Sequence, residues 1–148
     1  MPVIEVEGIG DYHEPDVLKG RYGLKAGRVN VAGLNLAINW EIIDGEPTAD
    51  GQSVMEREVV DFVPIVMKET WKESYKSGQT KKRNDLFRAA GVELDAQSFE
   101  AEEDFQSFMK TLADEFIGSE VEAVVGPGKD QYDVPRDEVK RYLGPYNN

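Results

Sequence analysis

The stretch with the clearest binding chemistry lies between residues 68 and 83, where cationic and aromatic side chains alternate. Five side chains combine the two types: Lys68, Trp71, Lys72, Tyr75 and Lys76. Three more cations extend the basic run: Lys81, Lys82 and Arg83. Binding of single-stranded nucleic acid needs cations along the phosphates and aromatic faces on which bases stack. If residues 68–76 are helical, the five mixed side chains occupy neighbouring positions on one helix face.

The same stretch also has a plainer interpretation, a charged surface with two aromatic rings folded back onto the core. Other cations and tyrosines form a second set of candidates for nucleic-acid binding: Arg28, Tyr132, Arg136 and Lys140. These side chains either line the same groove or form surface pairs with the carboxylates at positions 133, 137 and 138. Both interpretations stay open at this point, because pattern alone does not show which groups are exposed.

The charge of the chain is strongly uneven along the sequence. A formal net charge of −12 argues against nucleic acid, since such a partner favours a basic surface. However, residues 68–88 contain seven basic residues against three acidic ones, whereas residues 93–122 contain ten acidic residues and one basic residue. The sequence therefore predicts a basic patch within an acidic protein.

The motifs of common catalytic sites are absent from the sequence. It has no nucleophile elbow, zinc-protease helix or glycine-rich phosphate loop. With no cysteine and one histidine, it has little material for nucleophile–imidazole chemistry. His13, beside Glu14 and Asp16, is a poor ligand set, because groups so close along the chain rarely surround a metal. We therefore predict no enzyme activity, no metal site and no cofactor, although the many carboxylates leave a paired-carboxylate hydrolase open.

A long hairpin at residues 21–45 is the framework that has to position these side chains. Leu36, Ile38 and Trp40 alternate with polar residues, the period of a strand with one buried face, so Trp40 is predicted as core. In the preceding strand the apolar parity reverses at Gly27, which predicts a β-bulge or sharp bend. A hairpin whose first strand changes face midway is typical of a small, strongly curved barrel.

A third strand and two helices follow the hairpin. Residues 53–66 are rich in β-branched side chains and predict a strand, which Pro64 ends or places at an edge. One helix is predicted at residues 82–90, with Gly91 just past its end. The clearest helix is predicted at about residues 98–117, since its apolar residues recur at three-and-four spacing and Ser98 is a suitable N-cap.

Two final strands are predicted at residues 120–125 and 132–143, joined by a turn at residues 126–130. The element order is then three strands, helices and two strands. This order predicts a mainly β fold with helices (α+β), a five-stranded OB-type barrel, of a kind that often binds oligonucleotides or oligosaccharides.

The length of 148 residues suits one domain with a real core, preceded by an acidic arm. We assign residues 1–19 to the arm and residues 20–148 to a single OB-fold domain. No apolar run approaches the roughly 20 residues that span a bilayer, and no signal peptide opens the chain. The lack of cysteine favours an intracellular setting. We expect a soluble, cytoplasmic protein that does not contact membranes.

Several sequence motifs of this chain resemble those of a known group of proteins. The motifs are GRYGLKAGRVNVAG, NWEIIDG, LFRAAGVELD, FIGSEVEAVVG and DVPRDEVKRYLGP. Together they are similar to the bacteriophage OB-fold single-stranded-DNA-binding proteins, over about residues 20–145. The resemblance implies coating of single-stranded DNA, without strong sequence preference, during phage DNA replication or recombination in the host cytoplasm.

The resemblance also implies possible partners besides DNA, namely other replication or recombination proteins and further copies of the chain. Many single-stranded-DNA-binding proteins end in an acidic, partner-binding tail, whereas this chain ends YLGPYNN. The second functional hypothesis belongs to another class: an acidic interaction protein, or DNA mimic, that binds a host or phage protein. The acidic residues 93–122 motivate it, and such a protein should not bind DNA.

Overall fold

One five-stranded antiparallel sheet and two helices make up the fold. The computed structural model describes residues 2, 18–48, 51–129 and 132–147. The elements are β1 (Gly20–Ala32), β2 (Asn35–Asp44), β3 (Glu58–Pro64), α1 (Glu73–Ala90), α2 (Glu102–Phe116), β4 (Glu120–Lys129) and β5 (Pro135–Pro145). The predicted mainly β fold with helices is confirmed. The arm predicted at residues 1–19, with its His13 cluster, lies outside the described residues apart from positions 2, 18 and 19.

The strands are arranged in the order β3-β2-β1-β4-β5, so that β3 and β5 are the two edges. Backbone pairing in the described residues does not join β3 to β5, so the sheet is not closed into the predicted barrel. Pro64 ends β3 on an edge, as expected of a residue without a backbone donor. None of the helices in this part of the chain is long and apolar enough to cross a membrane.

The β1–β2 hairpin confirms the argument from apolar parity. Ala26 pairs with Trp40 and Arg28 pairs with Asn39, so Gly27 is the extra residue of a bulge. Tyr22, Leu24 and Ala26 before the bulge and Val29 after it are all buried. A second register shift, between positions 23 and 24, was not predicted. Trp40 is fully buried, as expected for a core residue.

Both helices differ from their predicted bounds. Helix α1 begins at Glu73 rather than at residue 82. The prediction missed its first half because residues 73–81 are polar and carry little apolar periodicity. Gly91 caps it in the left-handed conformation, as predicted. Helix α2 is shorter than residues 98–117, and its N-cap is Ala101 instead of Ser98. Residues 98–101 are not helical, and the Phe99 ring among them packs on Phe105 and Phe108.

The strands β3, β4 and β5 also have different ends from those predicted. Strand β3 covers only the centre of residues 53–66, and β5 begins three residues later than expected and runs to Pro145. Strand β4 continues through Gly126, Pro127 and Gly128, where a turn was predicted. Strand β1 pairs with β4 only as far as Val125, so residues 126–129 pair with β5 alone. Pro127 therefore interrupts no hydrogen bond to β1.

Side chains, and not backbone groups, connect β3 to β5. The Tyr142 hydroxyl of β5 donates a 2.5 Å hydrogen bond to Asp61 Oδ2 of β3, and Trp40 Nε1 donates to that hydroxyl at 3.0 Å. Lys82 Nζ of α1 lies 3.0 Å from Asp61 Oδ1. A second bridge joins Arg57, just before β3, to Asp137 of β5 at 3.0 Å. We call this gap, filled by side chains and covered by α1, the seam.

Replacing Tyr142 by Phe tests the seam. The change removes both hydrogen bonds of the buried hydroxyl, so we expect the free energy of unfolding at neutral pH to fall by about 1–3 kcal/mol. Burial, the Asp61 charge and the hydrogen bond to Asp61 raise the pKa of Tyr142. Denaturant titrations of both proteins at several pH values measure the difference.

The same tyrosine should give the protein an alkaline dependence. Tyrosine in the unfolded chain ionises near pH 10, whereas buried Tyr142 stays neutral to higher pH. The contribution of Tyr142 to the free energy of unfolding is therefore complete below about pH 10, and it is lost as the pH rises toward the pKa of this residue in the folded protein. The deficit of Tyr142→Phe should shrink above about pH 10. A deficit that stays constant to the alkaline limit would contradict this account.

Candidate nucleic-acid interface

The predicted stacking residues lie where a turn leads into α1, with Trp71 in the turn and Tyr75 in the first turn of the helix. The Trp71 amide donates to the Lys68 carbonyl at 3.1 Å, and α1 begins after Lys72, so residues 68–72 are not helical as the one-face argument required. Trp71 and Tyr75 nevertheless pack edge to face, with ring centroids 4.9 Å apart. Lys68 Nζ lies 6.0 Å from the centroid of the Trp71 ring. We call Lys68, Trp71, Lys72 and Tyr75 the aromatic turn.

The aromatic turn is accessible to a ligand. Tyr75 is half exposed, and Lys68 and Lys72 are exposed, while Trp71 is partly covered. In the described part of the chain, neither lysine of the turn forms an ion pair. The turn therefore presents two cations and an aromatic pair whose rings support each other.

The four predicted cations of α1 are all engaged within the protein. The partly buried Lys76 lies 3.4 Å from Glu73, and the exposed Lys81 lies 2.8 Å from Asp85. Arg83 donates to the Ile65 carbonyl at 2.8 Å, and its partial burial lowers the pKa of its guanidinium. Lys82 is the most enclosed, since its side chain is only 17% exposed. Moving Lys82 onto a phosphate would leave the buried Asp61 carboxylate without its cation.

The second set of candidates is divided between distant parts of the sheet. Arg28 is exposed on β1 and pairs with Asn39 of β2. Arg136 and Lys140 lie on the β5 edge, where Lys140 contacts Glu138 at 2.8 Å. Tyr132, just before β5, is highly exposed. Because β4 and β5 lie on the other side of β1 from β2 and β3, only Arg28 belongs to the β1–β2–β3 surface.

That surface carries a feature which the sequence interpretation missed. Phe62 is 51% exposed and Val60 is 37% exposed, although both lie within β3. Phe62 pairs with Ala37 of β2, which in turn pairs with Asn30 of β1. Val60 similarly pairs with Asn39, and Asn39 with Arg28. We call these two rows the outer face: Arg28, Asn30, Ala37, Asn39, Val60 and Phe62.

The two faces of β3 follow from its sequence only once the inward orientation of Asp61 is known. Val59, Asp61 and Val63 share one parity, while Val60 and Phe62 share the other. An inward Asp61 needs buried partners, and Tyr142 and Lys82 supply them from distant parts of the chain. Knowledge of those partners would have assigned Phe62 to the outside.

The aromatic turn and the outer face lie close together along the chain. Asn35 pairs with Pro64, and the Ile65 amide donates to the Leu34 carbonyl at 2.9 Å, so β3 leaves the sheet beside the β1–β2 turn. From Phe62 to Lys68 the chain advances six residues, which span at most about 22 Å. One short oligonucleotide is long enough to contact both.

Acidic side chains are concentrated away from the outer face. The two rows of the outer face contain no carboxylate, and the nearest acids in register are Glu41 and Glu58 of the next row. Exposed carboxylates are most numerous in the segment before α2 and in its first turn, and two more, Glu69 and Glu73, are exposed beside Trp71 and Tyr75. Among the described residues, no three potential metal ligands of the His, Cys, Asp or Glu types converge.

Comparing two neighbouring lysines tests the structural assignment of Lys82. Removal of one partner from a buried ion pair typically costs about 3–5 kcal/mol, so Lys82→Ala should lower the free energy of unfolding strongly. Lys81→Ala is the matched control, since an exposed helical pair contributes about 0.3–0.5 kcal/mol. Urea denaturation measures both. Equal effects of the two substitutions would show that Lys82 does not hold Asp61.

Comparison with known proteins does not assign this chain to a family. A scan against protein-family models and a search of the curated proteins each found no match. The functional interpretation of the outer face and of the aromatic turn therefore depends on their own contacts, exposure and charge.

Proposed function

We propose that this protein binds single-stranded DNA without strong sequence preference, through the outer face and the aromatic turn together. The observation that carries the proposal is the exposed Phe62 ring on the edge strand β3, in a surface whose two rows contain no carboxylate, six residues before a turn whose two lysines form no ion pair among the described residues. Single-strand binding combines aromatic stacking platforms with cations that follow the backbone. Phe62, Trp71 and Tyr75 supply the platforms, and Arg28, Lys68 and Lys72 supply the cations.

This assignment narrows the candidate residues. Lys76 and Lys81 are surface cations that can exchange their carboxylate partners for phosphates. Lys82 and Arg83 are bound internally and serve the fold. Tyr132, Arg136 and Lys140 are candidates for contacting a longer oligonucleotide that continues across the sheet toward β5.

We further infer that the fold is a variant of the OB barrel. The strand order β3-β2-β1-β4-β5 supports this inference, as do the two side-chain bridges across the seam. Arg57 contacts Asp137 and Asp61 contacts Tyr142, so residue numbers increase in the same direction along both strands. This is the arrangement of parallel neighbouring strands. OB folds bind oligonucleotides on the surface around their second and third strands, where the outer face lies. A role in phage DNA replication or recombination, in the host cytoplasm, fits such binding.

The acidic side of the molecule supports a second candidate function, binding of a protein partner. A cleft of about 760 Å³ lies between α1 and the segment before α2. Phe99, Phe105 and Phe108 line it together with the acidic residues Asp95, Glu100 and Glu102, which outnumber its one cation, Arg83. Its chemistry suits a basic peptide with an apolar anchor. If the protein binds no DNA, this cleft becomes the leading candidate.

Binding of a labelled oligonucleotide tests the proposed function directly. We expect single-stranded DNA to bind more tightly than duplex, since stacking needs unpaired bases. The logarithm of affinity should fall with the logarithm of salt concentration, with a slope of about −0.7 per phosphate neutralised. Fluorescence anisotropy across a salt series measures both. Equal affinity for duplex, or binding insensitive to salt, would contradict the proposed surface.

Replacing the stacking rings tests the location of the site. Phe62→Ala should weaken single-strand binding by about 1–3 kcal/mol, the usual value of one base–aromatic contact. Its melting temperature should stay close to that of the unchanged protein, because the ring is half exposed. Trp71→Ala should weaken binding by a similar amount.

Ile117→Ala is the matched control, since Ile117 is an equally exposed apolar residue at the end of α2. It should leave oligonucleotide affinity unchanged. Melting temperature and affinity are measured on the same preparation of each variant. Wild-type affinity in both Phe62→Ala and Trp71→Ala would place the site elsewhere.

A further inference from the structure

Asparagines occupy three positions of the β1–β2 hairpin where strand propensity disfavours them. Asn30 lies on β1, and Asn35 and Asn39 lie on β2. Asparagine is depleted in strands, where β-branched and aromatic side chains are favoured. In the described part of the chain, none of the three side-chain amides forms a hydrogen bond. Their amides therefore contribute no hydrogen bond that would explain their presence in the sheet.

Two of these amides lie on the same sheet face as the exposed phenylalanine, on the two neighbouring strands. Asn30 lies in the row of Ala37 and Phe62, and Asn39 lies in the adjacent row between Arg28 and Val60. Neighbouring strands are about 4.7–4.9 Å apart, so two spacings separate Phe62 from Asn30. The residue between them is alanine, whose small side chain leaves a shallow space on the sheet. A planar ring that contacts Phe62 and lies over Ala37 would bring its edge toward the Asn30 amide.

We propose that Asn30 and Asn39 hydrogen-bond to the edges of bases that stack on Phe62. The inference rests on the proposed function and specifies what the outer face recognises: the unpaired base edge, not the phosphate. An amide presents a donor and an acceptor side by side, and its orientation can reverse. Each of the four bases carries a neighbouring donor and acceptor on its Watson–Crick edge. The amides thus tolerate any sequence.

The same chemistry explains selection against duplex. In a duplex those base edges are already paired, so they cannot accept the two amides. The cations of the aromatic turn, in contrast, meet phosphates that both forms of DNA carry. The cations Arg28, Lys68 and Lys72 thus supply salt-dependent affinity, whereas the aromatic rings and the two amides supply the preference for single strands.

Three oligonucleotides of equal length separate hydrogen bonding from stacking and from charge. One carries thymine, one carries difluorotoluene, an isostere of thymine that stacks without forming strong hydrogen bonds, and one is abasic. Fluorescence anisotropy gives the affinity of each for the unchanged protein and for the double variant Asn30→Ala/Asn39→Ala. Gln106→Ala is the matched control, because Gln106 is an exposed amide on α2, away from the sheet surface.

We expect the unchanged protein and Gln106→Ala to bind thymine more tightly than the isostere, by about two- to twelvefold per hydrogen bond. The double variant should bind the two equally, while its salt dependence and melting temperature stay unchanged. All three proteins should bind the abasic oligonucleotide most weakly, because it offers no base to stack.

Equal binding of thymine and isostere by the unchanged protein would overturn this inference and leave the proposed function standing. A double variant that keeps the preference would also overturn it. Absence of binding to all three oligonucleotides would overturn the proposed function and this inference together.

Discussion

The buried carboxylate of Asp61 is the constraint from which much of this structure follows. It lies on an edge strand, β3, that has no backbone partner on its outer side among the described residues. A carboxylate is tolerated in the interior only when other groups satisfy it, and here Tyr142 and Lys82 do so. These contacts hold β3, β5 and α1 together. They also fix the parity of β3, because an inward Asp61 obliges Phe62 on its C-terminal side to face solvent. The buried ion pair of Asp61 and the exposure of Phe62 therefore both follow from the inward orientation of one side chain.

Helix α1 shows how one basic segment is divided between fold and surface. Lys82 and Arg83 point toward the sheet, where one satisfies a carboxylate and the other a backbone carbonyl. Lys81 stays at the surface with Asp85. The concentration of positive charge in residues 68–88 is therefore only partly a property of the surface. The aromatic turn, which precedes the helix, presents its charge more directly to a ligand.

The parts of the fold that local pattern determines could be predicted from the sequence. Alternation in β2 and the change of parity at Gly27 gave the hairpin and its bulge, and three-and-four spacing gave the buried face of α2. The first half of α1 could not be predicted, since its polar sequence lacks apolar periodicity. The burial of Lys82 against Asp61 and the exposure of Phe62 both depend on contacts between residues far apart in sequence. A single sequence does not show such pairings, so the proximity of Trp71 and Tyr75 could be predicted from their spacing, whereas the exposure of Phe62 could not.

The bulge at Gly27 also bears on how this protein can change by insertion and deletion. Because Gly27 has no partner on β2, its loss would leave Ala26 paired with Trp40 and Arg28 paired with Asn39, and both faces of β1 would stay as they are. Loss of Asn39 from the regular strand β2 would instead make Ile38 and Trp40 adjacent, so that one of these two core residues would face solvent. Single-residue deletions are therefore expected to be tolerated at the bulge and not in the regular strand beside it. An alignment that places a gap at Gly27 likewise keeps buried residues opposite buried ones.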